Sequence, residues 1–171
     1  MNWKVISDDY LNYLRSKENR IPNTNYGEGK MKPFFGELMK IDNLVYVTQV
    51  SSPKPRHIKM PKAVDFYKLY KQNKLLAVVN LNYMFPVPLS EINDLEYKNI
   101  GNFITFEDEI KKAKYITLLK LEMNAIKKLD LEKAAQKVYG LKCNKPNASV
   151  SQRCFDFKQL EEYAKQFKSI V

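Results

Sequence analysis

Apolar and polar residues alternate over residues 3–5 (Trp3, Lys4, Val5), the period-two signature of a strand. Ser7 or Asp8 then offers an N-cap before a stripe of Leu11 and Leu14 with Tyr10 and Tyr13 alongside, which predicts a short helix. Residues 19–33 hold two Pro, two Gly and three Asn, the chemistry of a loop. Over 34–51 the pattern predicts two strands joined at Asp42-Asn43, with Leu38 and Ile41 on one arm and β-branched Val45, Val47 and Val50 on the other. A second loop, SSPKPRHIKMPK, follows; Pro53, Pro55 and Pro61 remove backbone donors and exclude a central strand.

Strand signals return at 65–70 and at 75–85, separated by Gln72-Asn73, and Pro86 and Pro88 are expected to end the second strand. Residues 90–95 predict a short helix. Thr105 to Asp108 resembles a cap for a long helix over 106–129, with Ile110, Ala113, Leu118, Leu121 and Ile126 as its core stripe. A further helix is expected over 131–139, stopping at Gly140. Polar residues 142–153 read as loop, and Asp156 with Gln159 opens a last helix ending near Phe167. Strands dominate the first half and helices the second. The expected class is therefore α+β, in a single domain over residues 1–171 without internal repeats.

Composition narrows the function classes. A 171-residue chain with 44% hydrophobic content can fill one core, which excludes disorder as the whole answer. One His and two Cys cannot furnish a four-ligand zinc site or a disulfide framework, so no metal or cofactor is expected. Five scattered Gly match no phosphate-binding loop or nucleophile elbow. No basic segment followed by an apolar run opens the chain, and no apolar stretch approaches the ~20 residues of a membrane span. These readings predict a soluble, cytoplasmic protein with no membrane association. The formal net charge of +10, from 29 Lys+Arg against 19 Asp+Glu, points to an anionic partner.

Candidate chemistry lies in the two loops. The first carries Tyr26, Lys30 and Lys32, the second Ser51, Ser52, Lys54, Arg56, His57 and Lys59. If 34–41 and 44–51 form a hairpin, both loops emerge from the same end of it, and two Lys and two hydroxyls converge. Such a cluster suits a phosphodiester: cleavage of RNA without metal needs a group to take the 2′-OH proton, cations for the developing phosphorane and a donor for the departing oxygen. Any one of these Lys taken singly reads as part of a solvated basic face, and the lone His57 beside Arg56 and Lys59 as part of a basic patch. Tyr residues interleaved with Lys, Tyr115 among them, fit single-stranded RNA, although most Tyr of a domain this size belong to the core.

The stretch Lys32-Pro-Phe-Phe-Gly36, Val45-Tyr-Val-Thr48, Ser51-Ser-Pro-Lys54 resembles the ToxN/AbiQ family of type III toxin–antitoxin endoribonucleases. The opening Val5-Ile-Ser-Asp-Asp-Tyr10-Leu-Asn-Tyr-Leu14 and the run Leu76-Ala-Val-Val-Asn80-Leu-Asn-Tyr-Met84-Phe-Pro86-Val are similar in order and spacing over about residues 3–88, and Tyr115 with Leu118 and Leu119 looks like the family's long helix. The resemblance implies a strongly twisted antiparallel sheet related to the Kid/MazF barrel, with surrounding helices. It implies metal-independent cleavage of RNA (mRNA as substrate, commonly at A-rich sites) leaving 2′,3′-cyclic phosphate and 5′-hydroxyl ends. It also implies inhibition by a repeat-derived pseudoknot RNA antitoxin, often in closed RNA–protein rings, in abortive infection of phage; DNA is not an expected partner. Carried over residue by residue, Ser52 and Lys54 fall on the family's active-site Ser and Lys, Ser51 on the adjoining Thr, Lys32 on the loop lysine and Tyr10 on the first-helix tyrosine. Tyr26 departs from the spacing of the loop tyrosine, with Glu28 nearer that position, and residues 129–153 match no family pattern. Beside this reading stands a non-catalytic single-stranded RNA-binding module using the same basic and aromatic surface.

Overall fold

The computed structural model describes residues 1–22 and 32–168. Tyr26 and Lys30, two of the expected RNA-contacting residues, lie outside the described residues. Strand β1 (Asn2–Ile6) leads into α1 (Asp8–Lys17), where Ser7 caps the helix by accepting from the Tyr10 N–H at 3.3 Å. The expected hairpin forms: β2 (Phe34–Ile41) and β3 (Leu44–Ser51) pair antiparallel across Asp42, whose left-handed backbone (φ 52°) makes the tight turn. The proline-rich loop contains a short helix, α2 (Pro55–Lys59), with Pro55 in its first turn, where a missing N–H costs nothing.

Strands β4 (Phe66–Lys71) and β5 (Lys74–Asn80) form a second hairpin. The single strand expected over 75–85 is broken by a 3-10 turn at Leu81–Tyr83. The chain then resumes as β6 (Phe85–Pro88), so Pro86 and Pro88 sit within a strand instead of ending one. This is tolerated because, among the described residues, β6 pairs with β3 alone, leaving its other side without a ladder to donate to. The helix expected at 90–95 is replaced by a 3-10 turn at Leu89–Glu91 and by β7 (Ile92–Asp94), which pairs with β1.

Among the described residues the sheet has seven strands in the order β4-β5-β3-β2-β1-β7, with β6 on β3. It is not closed into a barrel, which corrects the Kid/MazF-like expectation. The edges β4 and β7 do not pair, and β4 carries Lys68 and Lys71 along its short length, charges that discourage further strand pairing. The sheet nevertheless curves strongly. Helix α3 (Glu109–Ile126) packs on β4 and also accepts, at the Leu119 carbonyl, a 3.0 Å hydrogen bond from the Trp3 indole of β1, with three strands lying between β4 and β1.

The stripe expected on α3 holds at Ile126 and is otherwise rotated. Leu119, Glu122, Met123 and Ile126 are buried, whereas Ile110 and Leu118 are exposed. Apolar residues surround this helix, so periodicity alone did not choose its inner face. Helix α4 (Leu131–Asn144) runs through Gly140, α5 (Ser149–Arg153) occupies part of the expected loop, and α6 (Phe157–Gln166) starts at the Asp156 cap as read from the sequence. Asp65, buried ahead of β4, takes a two-pronged ion pair from Arg153 of α5 at 2.6 and 2.7 Å, tying the helical half to the sheet.

Candidate functional site

The end of the β2–β3 hairpin opposite its turn presents the two loops together. Phe34 pairs with Gln49, which sets residue 32 beside residues 51 and 52. The Gln49 side-chain amide donates to the Lys32 backbone carbonyl at 2.7 Å, and the Lys32 ammonium donates to Ser52 Oγ at 3.2 Å. Because the Ser52 oxygen accepts from an ammonium, its own proton is directed elsewhere, available to an incoming oxygen. Ser51 is the last residue of β3 and half-buried; Ser52 is exposed.

Lys54 is exposed immediately before α2, and its backbone N–H donates to Nδ1 of His57 at 3.1 Å while the His57 backbone N–H donates back to the Lys54 carbonyl at 2.8 Å. His57 was expected on the RNA-contacting surface. It is instead 5% exposed, with its ring 5.8 Å from that of Phe66. Burial, followed by the charges of Arg56, Lys54 and Lys68, holds its pKa below the ordinary value. A neutral ring that accepts at Nδ1 orders the Lys54 turn from within. Arg56 and Lys59 remain exposed on α2.

Tyr10, carried over as a site residue, is fully buried; its hydroxyl donates to the Pro86 carbonyl at 2.6 Å and its ring meets Phe167 edge-on. It touches no surface that RNA could reach, and its place is between α1 and β6. Tyr115 is half-buried on α3 against Phe106, and Glu122, two turns further along, contributes to raising the pKa of its hydroxyl after burial.

Glu122 is the residue that sequence reading missed. It is 5% exposed, and burial pushes its carboxyl up to about 7, with the positive charge of Lys32 pulling in the opposite direction. The signal was present: a single carboxylate among Leu119, Met123 and Ile126 on what proves to be the inner face. Gln49 was missed as well, because only the strand register reveals that it reaches Lys32. Lys32, Ser52 and Ser51 are thus brought together at the hairpin end, with Lys54 next in chain and Glu122 and Tyr115 behind. Such a group has the cationic and hydroxyl donors that a phosphate would accept from. Among the described residues no cluster of His, Cys, Asp and Glu could hold a metal ion, and no helix is long and apolar enough to cross a membrane.

Known proteins share this architecture. The chain is 26% identical over 107 residues to the endoribonuclease ToxN of Pectobacterium atrosepticum, an overlap of 60% of this chain and 63% of that protein. The matched region therefore spans less than two thirds of that relative. A solved structure from a bacterial antiviral system regulated by a processed non-coding RNA superposes with TM-score 0.76 at 21% identity, covering 99% of this chain and 100% of that one. A toxin selectively inhibited by a non-coding RNA pseudoknot gives TM-score 0.70 at 22% identity, covering 97% and 98%. AbiQ, a lactococcal anti-phage endoribonuclease of the type III toxin–antitoxin class, gives 0.70 at 21%, covering 96% and 95%. The model of the ToxN toxin family matches residues 3–165, and the chain belongs to this family of type III toxin–antitoxin toxins.

Proposed function

We propose that this protein is an endoribonuclease toxin with an anti-phage role, held inactive by a pseudoknot-forming RNA antitoxin. The observation that carries the reading is the hydrogen bond from Lys32 to Ser52, which joins the two basic loops at one end of the hairpin. The 2′-OH of the nucleotide before the cut gives up its proton and attacks the adjacent phosphorus, and the bond to the 5′-oxygen breaks as that oxygen takes up a proton. A 2′,3′-cyclic phosphate and a 5′-hydroxyl result, and no metal is needed. Lys32 and Lys54 neutralise the phosphorane, Ser52 orients a phosphate oxygen or the attacking hydroxyl, and Ser51 lines the same face. Tyr10 acts at one remove, by anchoring α1 on β6. Arg56 and Lys59 of α2 extend the positive surface along the strand and its inhibitor. The preferred targets are A-rich stretches of mRNA, and the inhibited form closes into rings of RNA and protein.

Incubation of the purified protein with A-rich RNA in EDTA tests this. Cyclic-phosphate ends are expected, and Ser52→Ala or Lys54→Ala is expected to abolish both cleavage and growth arrest while RNA binding survives. Intact RNA with a retarded band would overturn the enzymatic reading and leave a binding module; full toxicity of both variants would misplace the site.

A further inference from the structure

Where β5 and β6 leave β3, the sheet opens. Val50 pairs with Val79 and Val47 with Phe85, so the five residues 80–84 stand opposite only Thr48 and Gln49. The excess is taken up in the 3-10 turn, and the interrupted ladder leaves a cleft of about 340 Å³ lined by Arg20, Thr48, Gln49, Ser51, Asn80 and Tyr83. Two of these residues belong to the candidate site. Ser51 adjoins Ser52, and Gln49 holds the Lys32 backbone.

The walls are pre-set. Fully buried Phe155 carries the Arg20 guanidinium 5.0 Å from its ring centroid and meets the Tyr83 ring at 5.4 Å. Arg20 is further clamped by Glu18, at 2.7 and 2.9 Å. That pairing cancels most of the charge Arg20 would bring, so the cleft suits an uncharged planar group better than a second phosphate. Tyr83 is 40% exposed and offers a stacking face. In the same lining, the Thr48 hydroxyl donates to the Asn80 backbone carbonyl at 3.3 Å and fixes the backbone there. The Asn80 side-chain amide makes no hydrogen bond among the described residues. A donor and an acceptor on one rigid wall are what reading the edge of a base requires.

We propose that this cleft holds one unpaired nucleobase of the bound RNA, stacked on Tyr83 and read by the Asn80 amide, adjacent to the phosphate gripped by Lys32 and Ser52. The identity of the ligand as RNA rests on the endoribonuclease reading. The cleft is the place where sequence preference at one nucleotide beside the cut is decided.

The test separates the two readings by using RNA that cannot be cut. A set of 2′-O-methyl oligonucleotides, varied one base at a time, is titrated against wild type, Asn80→Ala, Asn80→Asp and Tyr83→Ser. Wild type is expected to prefer one base at a single position roughly tenfold. Asn80→Ala is expected to lose that preference, Asn80→Asp, which offers acceptors only, to move it to another base, and Tyr83→Ser to weaken every sequence roughly tenfold without changing the order. Because the Asn80 amide makes no hydrogen bond among the described residues, its variants should melt with wild type. An unchanged base preference in both Asn80 variants, or no base preference in wild type, overturns the proposal. Cut-site mapping of wild type on cleavable RNA is read separately: absence of cleavage there with base preference intact would sink the enzymatic reading and leave the cleft standing.

Discussion

Gln49 and Lys32 are joined by a 2.7 Å hydrogen bond from the glutamine amide to the lysine backbone carbonyl, and this bond aligns the first loop with the second. It converts the register of a strand pair into the position of an ammonium group.

Gln49→Leu keeps the side-chain volume and removes the donor. The loss of a part-buried hydrogen bond should cost about 1–2 kcal/mol in urea unfolding, and a displaced Lys32 should lower RNA cleavage roughly tenfold or more. A variant that is destabilised and still cleaves at the wild-type rate would show that Lys32 is held in place by other contacts.

Glu122 makes stability depend on pH. Its folded pKa, about 7, lies above the ordinary 4.5, so the folded state holds the proton more tightly than the unfolded chain does. The contribution is fully present below pH 4.5 and is lost as pH rises through about 7, a change on the order of 3 kcal/mol for a shift of this size. Urea unfolding at pH 5 and pH 8 should show wild type losing stability across this range, and Glu122→Gln losing much less. Equal losses in the two proteins would remove Glu122 as the cause.

His57 works in the opposite direction. Its folded pKa is depressed, so its contribution is present above the ordinary 6.5 and is lost as pH falls through the folded value. His57→Ala should remove the acceptor of the Lys54 N–H, lower the melting temperature, and loosen α2. Cleavage should fall with it, mainly through kcat, since the exposed cations Arg56 and Lys59 are left in place. Wild-type kcat in this variant would detach the Lys54 turn from catalysis.

Gly36 lies where β1, β2 and β3 run side by side. A Cβ there would stand 2.9 Å from the Tyr46 backbone oxygen and 3.0 Å from Val47 Cγ1, closer than the packing allows. Gly36→Ala should therefore cost about 1–3 kcal/mol through overpacking, seen as a lowered melting temperature. A melt indistinguishable from wild type would mean that β2 and β3 can part there at no cost.

Local chemistry made much of this molecule legible from its residues. The Ser7 and Asp156 caps, the hairpin turn at Asp42-Asn43, and the convergence of Lys32 with Ser51 and Ser52 all follow from short-range patterns: a cap, a turn and a register need only nearby residues. Net charge was enough to point to an anionic partner. The inner face of α3 was a different kind of question. With Ile110, Leu118, Leu119 and Leu121 distributed around it, only the docking of Trp3 and the curvature of the sheet decide that Glu122 faces inward.

The same holds for the break between β5 and β6. The stretch from Leu75 to Phe85, with its apolar run over 75–79, reads as one strand, and the turn at Leu81–Tyr83 exists because Phe66 through Lys71 on one side and the bend of β3 on the other cannot both be followed without it. Tyr10 and His57 show the limit most clearly. Both carry groups able to serve RNA chemistry, and both are buried, because burial is a property of what packs over a residue and not of the residue itself. Residue types and spacing determined which chemistry this chain could perform. Tertiary packing determined which of those residues meet solvent, which meet one another, and where the sheet opens a cleft beside them.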